Sequence, residues 1–505
     1  MDLLALFCFL FIYFIRPHDW IGFLNGVEVV RPIMLASVAG ILHRGGSLSP
    51  GTYLKTPLDW IVTLYWGWII YAAPSVMNGV LQGASLFGFY FLPIAILCNF
   101  QRLYRFFTVW VSCLIILALI GIGTVNGFDI TSAKEMIDTT FKGRLVINTW
   151  LFRNPNSIGH TVIVAIPLLY FLFFYKRQSL KWIWGAILAL IAGYCVYLTE
   201  SKGAFVVGFA IICIALLQGR SLTFRICALA LAVTMGWGAV SQLPRMNELS
   251  SLRSNEAVMG RMFAWQDARR EFEEHSTGAG WKQFAAHFTW EGEVYTIATH
   301  SSYIRVGADL GKMGLFLYLL ALCTSLRQLF SYRYTSYMED RLGSILVVLV
   351  ASYMLSNWMI DRAYHVEFAL ICGACSAFHR YMLDKWKLVS QLDPSSSQGR
   401  IQGELTEENF EAIPVYSSGP FGSLSLVPGG EEAKPALIVP VAESLPPEEK
   451  ERDTLRLATS ILAGQKGPGF LSMASPSAFG VDLLITAVAY FSVLWLWTYA
   501  IRAIL

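Results

Sequence analysis

The chain has 505 residues, 55% of them apolar and only 14% charged, with a mean hydropathy of +0.51. That balance excludes an ordinary soluble globular protein and indicates a polytopic membrane protein. A net charge of +3 from basic residues scattered singly gives no basis for a nucleic-acid partner.

In chain order, apolar runs of roughly 15 to 22 residues fall at about 2–15, 27–42, 58–74, 80–99, 104–123, 157–175, 182–199, 203–218 and 223–241. They resume at about 311–327, 342–359, 364–379 and 478–500. The first run lacks a basic leader and a small-residue cleavage site, so it reads as a retained helix. All nine cysteines sit in apolar runs, and Cys372 and Cys375, a CxxC one helical turn apart, read as packing residues. The expected fold class is an all-α polytopic membrane protein of about 12–13 transmembrane helices, with one large outer (periplasmic) loop between helices 9 and 10.

Basic residues collect in short cytoplasmic loops, which tests the orientation. With the N-terminus inside, the inner connections hold pairs and triplets such as Arg44 and Lys55, Arg102 and Arg105, Arg327, Arg333 and Arg341, and Arg380, Lys385 and Lys387. The short outer turns hold only Arg16, Lys202 and Arg362. This bias puts the hydrophilic stretch 242–310 outside, together with a smaller outer lid at 124–156. After Lys387 the chain turns to Pro, Gly, Ser and Glu, so 1–387 reads as the membrane core, 388–477 as a disordered cytoplasmic segment, and 478–505 as a terminal transmembrane helix. A short amphipathic piece is expected near 453–463.

Basic residues that persist on an outer face invite anionic ligands. Arg269 and Arg270, in RREFEEH, read as members of a solvated helix with i to i+4 pairs. Lys202 sits between two apolar runs, where a charge is costly unless it serves something. His300 stands at the entrance of a membrane helix, ahead of Tyr303 and Asp309, and a neutral imidazole there could accept a proton from a sugar hydroxyl. A lone histidine is more often a structural hydrogen-bonding residue, and that role is the alternative here. In Asn154-Pro155-Asn156 the residues suit a helix cap, with a functional role for Asn156 as the alternative. There is no HExxH, no Cys/His cluster and no phosphate loop, so no metal, no other cofactor and no ATP hydrolysis are expected.

The order of these pieces resembles the O-antigen ligase and polymerase superfamily. They are RNPN at Arg153 to Asn156, LTESKGA at Leu198 to Ala204, GRMFAW at Gly260 to Trp265, GAG at Gly278 to Gly280, and the run from His300 to Gly314. Arg16-Pro17 further resembles the exosortase-associated branch of O-antigen ligases. The resemblance implies a metal-independent, inverting glycosyltransferase at the outer face of a bacterial inner membrane. Its donor would be an undecaprenyl-pyrophosphate-linked glycan, its acceptor a lipid, glycan or protein hydroxyl, with membrane lipids around it. It further implies that Lys202 and Arg261 bind pyrophosphate and that His300 activates the acceptor, supported by Tyr303, Asp309 and Asn156. The family more often has Arg where this chain has Lys202 and Asn where it has Ser301. A polymerase of the same superfamily, or a transporter or flippase of a lipid-linked solute, are the alternatives. The single outer rim of charge and the absence of repeated halves weigh against transport.

Overall fold

A computed structural model describes residues 1–175, 181–218, 223, 256–290, 293–332, 334, 336–392 and 476–504. The chain divides into two compact units, residues 1–382 with 468–505, and residues 383–467. In the second unit the described part is the end of one helix, which closes at Leu392.

The long helices are α1 (Asp2–Ile15), α2 (Val30–His43), α3 (Pro57–Ala72), α4 (Val76–Ile96), α5 (Phe100–Val125) and α6 (Pro155–Phe174). They continue as α7 (Trp182–Thr199), α8 (Lys202–Leu217), α9 (Glu256–Glu274), α10 (Ser302–Phe330), α11 (Tyr337–Ser356), α12 (Val366–Leu392) and α13 (Pro476–Ile504). A hairpin, β1 (Ala286–Trp290) and β2 (Glu293–Ile297), pairs Ala286 with Ile297 and Trp290 with Glu293. Among the described residues, α4, α5, α6, α7, α10 and α13 are long and apolar enough to cross a membrane, and α1, α2 and α8 are shorter apolar helices. The protein is an all-α polytopic membrane protein with this one hairpin added.

Local chemistry sets the boundaries. Thr56 and Asp59 form a capping box at α3, as Ser336 and Glu339 do at α11, satisfying amide groups that a helix start leaves open. Pro57 and Pro155 occupy first helical positions, where their missing N–H costs nothing. Every apolar run except 223–241 lies on one of these helices; that run, apart from residue 223, is outside the described residues. So are 242–255 of the hydrophilic stretch, the amphipathic piece at 453–463, and most of 388–477.

Two boundaries differ from expectation. Helix α12 runs to Leu392, past the compositional break at Lys387. Helix α10 begins at Ser302, nine residues ahead of the apolar run, because a polar turn precedes a break at Gly311 (φ 64°, ψ −160°) and the continuous apolar stretch starts only beyond that break. The expected outer loop is therefore not irregular: where described, it is α9, the hairpin and the head of α10.

The charged residues meet end by end. Asp2, buried, receives both Arg44 and Arg102 at 2.8 Å, and Asp59, also buried, receives Arg380 at 2.7 Å and the Tyr90 hydroxyl at 2.6 Å. Arg44, Arg102 and Arg380 are the residues assigned above to inner connections. Contacts between outer-assigned residues include Trp150 N–H to Asp19 (2.8 Å) and Trp281 N–H to the Ala72 carbonyl (2.8 Å). The last helix, α13, lies along α10: buried Asp482 pairs with buried Arg327, with Nη2 to Oδ2 at 3.0 Å.

Candidate functional site

The site is built where α6, the α7–α8 junction, α9 and the head of α10 converge. At the junction Glu200 takes a left-handed conformation (φ 49°), and the Ser201 hydroxyl accepts from Ala204 N–H (3.3 Å) to start α8. Arg144 fastens this turn to α6. Its Nε donates to the Thr199 carbonyl and its Nη2 to Asn156 Oδ1, both at 3.0 Å. Lys202 is thus the first residue of α8, and the next one, Gly203, lies so close to α6 that a Cβ there would stand 3.0 Å from His160 Nε2. The other ring nitrogen of His160, a residue 2% exposed, hydrogen-bonds Ser356 Oγ at 3.0 Å.

His300 approaches from α10. Its backbone is left-handed (φ 51°), a conformation that a non-glycine residue keeps only when its neighbours enforce it. Here both neighbours are buried and bonded. The Thr299 carbonyl accepts from Trp265 Nε1 (2.8 Å), and Ser301 Oγ donates to the Asn357 carbonyl (3.0 Å). Ser302 continues the clamp, donating through N–H to Asn357 and through Oγ to Ile360.

Arg261 lies on α9, one turn before Trp265. Its charge acts on the His300 ring. Burial, and secondarily Arg261, push the His300 imidazole down to about 4, which keeps it neutral at pH 7. Burial also holds the Arg261 guanidinium below its ordinary value. An anion beside Arg261 would relieve both penalties.

The remaining expected residues hold the frame. Asn156 accepts from Arg144 through Oδ1 and donates its backbone N–H to Asn154 Oδ1 (2.9 Å), so it joins the lid segment to the junction. Tyr303 is 3% exposed, donates its hydroxyl to the Met354 carbonyl (2.8 Å) and packs edge-on against Trp358. Asp309, fully buried, accepts from Phe284 N–H (2.8 Å) and Arg305 Nε (2.6 Å). It anchors the small-residue turn: Ala279 and Gly280 donate to the carbonyls of Ala308 and Asp309, both at 2.9 Å. Gly278 (φ 70°) and Gly311 (φ 64°) face each other, and a Cβ on Gly311 would sit 2.1 Å from the Ser276 carbonyl oxygen. Among the outer charges, Arg269 pairs with Glu273 at 2.5 Å, the i to i+4 spacing expected of RREFEEH, while Arg270 pairs instead with Asp267, three residues before it, at 3.2 Å.

Three site residues escaped the sequence reading. His160 follows Asn156 by four residues, one turn along the same helix, and that spacing was the available signal. Arg362 donates to Glu367 Oε2 (2.9 Å) and to the Ser157 carbonyl (2.6 Å), yet in sequence it is a lone arginine in a short turn. Burial raises the neighbouring Asp361 carboxyl to about 6, while Arg305 opposes that rise. Nothing in the local sequence announces it.

These features define a multi-pass membrane protein with a polar site gathered at one end of its helices, combining the buried imidazole of His160 and the half-buried imidazole of His300 with cationic side chains. Residues 187–319, which include Lys202, Arg261 and His300, match the family described as O-Antigen ligase. Over that segment the chain is similar to the O-antigen ligase family. No curated protein matches the chain.

Proposed function

We propose that this protein moves a glycan from an undecaprenyl-pyrophosphate carrier to an acceptor hydroxyl, at the outer, periplasmic face of a bacterial inner membrane. The similarity of residues 187–319 to the O-antigen ligase family supports a ligase-like or polymerase-like role in glycosyl transfer. The observation that carries the finer reading is the packing of Gly203, next to Lys202, against His160, together with the bond from Trp265, one turn after Arg261, to the carbonyl of the residue before His300.

The acceptor oxygen forms a bond to the anomeric carbon on the face opposite the carrier, which inverts the configuration. The bond from that carbon to the pyrophosphate oxygen breaks, and its electron pair leaves with the carrier. Lys202 and Arg261 neutralise the negative charge that grows on the leaving group, in a partly dehydrated place where such pairing is strongest. The acceptor proton passes to the neutral His300. No step of this transfer calls on a metal.

The test is transfer by the full chain in lipid nanodiscs, from one lipid-linked glycan to a lipid, a glycan and a protein acceptor offered separately. We expect His300→Ala to lower the rate by about 100-fold or more, the usual scale of a positioned general base. A folded His300→Ala protein that transfers at the wild-type rate sinks the assignment. A glycan acceptor preferred over the others identifies a polymerase rather than a ligase.

A further inference from the structure

A second cleft, of about 450 Å³, opens among the end of α1, residues 27–31, the turn holding Trp150, the Trp281–Lys282 corner and the turn at 364–366. Its walls combine aromatic faces with cations. Arg16 lies over Trp150 at 5.4 Å from the ring centre, and Lys282 Nζ lies over Trp281 at 4.7 Å. Both cations hold left-handed backbones, φ 52° and φ 60°. For Arg16 this is the reversal that ends α1 and lets Pro17 start the next turn. Asp19 fixes Arg16 against Trp150, since its Oδ2 accepts from Arg16 Nε (2.6 Å) and from Trp150 N–H (2.8 Å). Trp150 is nevertheless 68% exposed, with His365 stacked on it at 5.6 Å.

Other atoms in the same walls are unspent. His18 Nδ1, His365 Nδ1 and Trp281 Nε1 are buried without a hydrogen-bond partner among the described residues. Buried polar atoms of this kind cost stability unless something pairs with them. Of the lining cations, Arg31 pairs with Glu28 at 3.0 Å and Arg16 with Asp19 at 2.6 Å, whereas Lys282 has no carboxylate within ion-pair distance among the described residues.

We propose that this cleft binds an anionic segment of the transferred or receiving glycan. The face of an exposed indole such as Trp150 suits the apolar C–H face of a pyranose, ring hydroxyls suit the imidazole and indole nitrogens, and a carboxylate or phosphate substituent suits Arg16 and Lys282. The cleft also adjoins the candidate site: His365 follows Arg362 by three residues, and Arg362 holds the helix of His160 through Ser157. This inference rests on the glycosyl-transfer reading for its biological meaning, but its binding prediction does not need turnover.

The experiment measures binding of free tetragalacturonate and of neutral maltotetraose to the full chain in nanodiscs, by calorimetry. Tetragalacturonate is expected to bind more tightly than maltotetraose, and Trp150→Ala and Lys282→Ala each to weaken it by about tenfold. Lys282→Arg, which keeps the charge, should bind within about threefold of wild type. Competition by a lipid-linked donor would attribute the cleft to the donor's glycan, and undisturbed binding to the acceptor's. Absence of tetragalacturonate binding, equal affinity for the neutral sugar, or unchanged affinity in folded Trp150→Ala and Lys282→Ala proteins overturns the proposal. A His300→Ala protein that binds normally yet transfers nothing leaves the cleft intact. A wild-type chain that binds but never transfers removes the transfer reading alone.

Discussion

Trp497 Nε1 donates to the carbonyl of Trp265 at 3.0 Å, so the last helix of the chain is bonded to the helix that carries Arg261. Trp265 passes the connection on, because its own Nε1 donates to the carbonyl of Thr299, the residue before His300. Trp497 also packs against Phe272, with ring centres 5.6 Å apart, and beneath the Arg269 guanidinium. A helix outside the matched segment thus helps hold the spacing between Arg261 and His300.

Removing either indole donor while keeping an aromatic ring isolates this relay. A net hydrogen bond contributes about 0.5–1.5 kcal/mol, so Trp497→Phe and Trp265→Phe should each slow transfer about two- to tenfold. Initial rates in nanodiscs check this, with thermal stability measured in parallel. Full activity in both variants would show that the bonds do not position the site.

The close pair Gly278 and Gly311 should tolerate no side chain. Gly311→Ala places a methyl 2.1 Å from a carbonyl oxygen at a left-handed φ, and both atoms belong to backbone that cannot step aside. The expected loss of stability is more than about 2 kcal/mol, read as a lower unfolding temperature in detergent. Gly51→Ala, in open space on an exposed turn, is the neutral comparison.

Acid pH tests the environment of His300. Its imidazole is held down at about 4 against an ordinary value of 6.5, so the folded protein favours the neutral ring. As pH falls from about 6.5 towards 4, the unfolded chain gains a proton that the folded chain refuses, and this contribution to stability is lost. Activity that depends on neutral His300 should persist at pH 6. In Arg261→Gln one of the two depressing influences is gone, and the acid limb of kcat/KM should move to higher pH. The shape of the profile, independent of its height, decides the point.

Asp482→Asn should destabilise the membrane core strongly, because it leaves Arg327 charged, buried and unbalanced. Breaking a buried pair from one side costs about 3–5 kcal/mol. Protease sensitivity and the unfolding temperature report it, and the double change Arg327→Met with Asp482→Leu should recover part of the loss.

Chelation offers a last check on the chemistry. Transfer is expected to proceed unchanged in excess EDTA, since charge on the leaving pyrophosphate is met by Lys202 and Arg261. Lys202→Ala should lose at least about tenfold while Lys202→Arg retains most of the rate, as the arginine fork also matches phosphate. Equal rates for those two variants remove Lys202 from the pyrophosphate site.

Much of the architecture was legible from local pattern. Apolar runs located the described spans because lipid demands length and apolarity together, and the positions of Arg44, Arg102 and Arg380 forecast which helix ends would meet. Motif order pointed to Lys202, Arg261 and His300. The roles of Tyr303 and Asp309 were not legible: both lie on α10 below His300 in sequence, yet one hydroxyl is spent on Met354 and one carboxylate on Phe284 and Arg305. His160 was passed over because a single histidine in an apolar helix carries no periodic signal of its own.

Sequence alone determined that this is a membrane-embedded helical protein with its polar chemistry collected in a few inter-helical stretches, since hydropathy and loop charge act locally along the chain. Only the tertiary structure decided which polar residues share a site. The segments that carry His160, Arg261 and His300 are joined by contacts between residues far apart in the chain, such as Arg362 with Ser157, Ser301 with Asn357 and Trp265 with Thr299. Backbone approaches as close as Gly203 to His160 depend on packing between helices, which no single segment encodes.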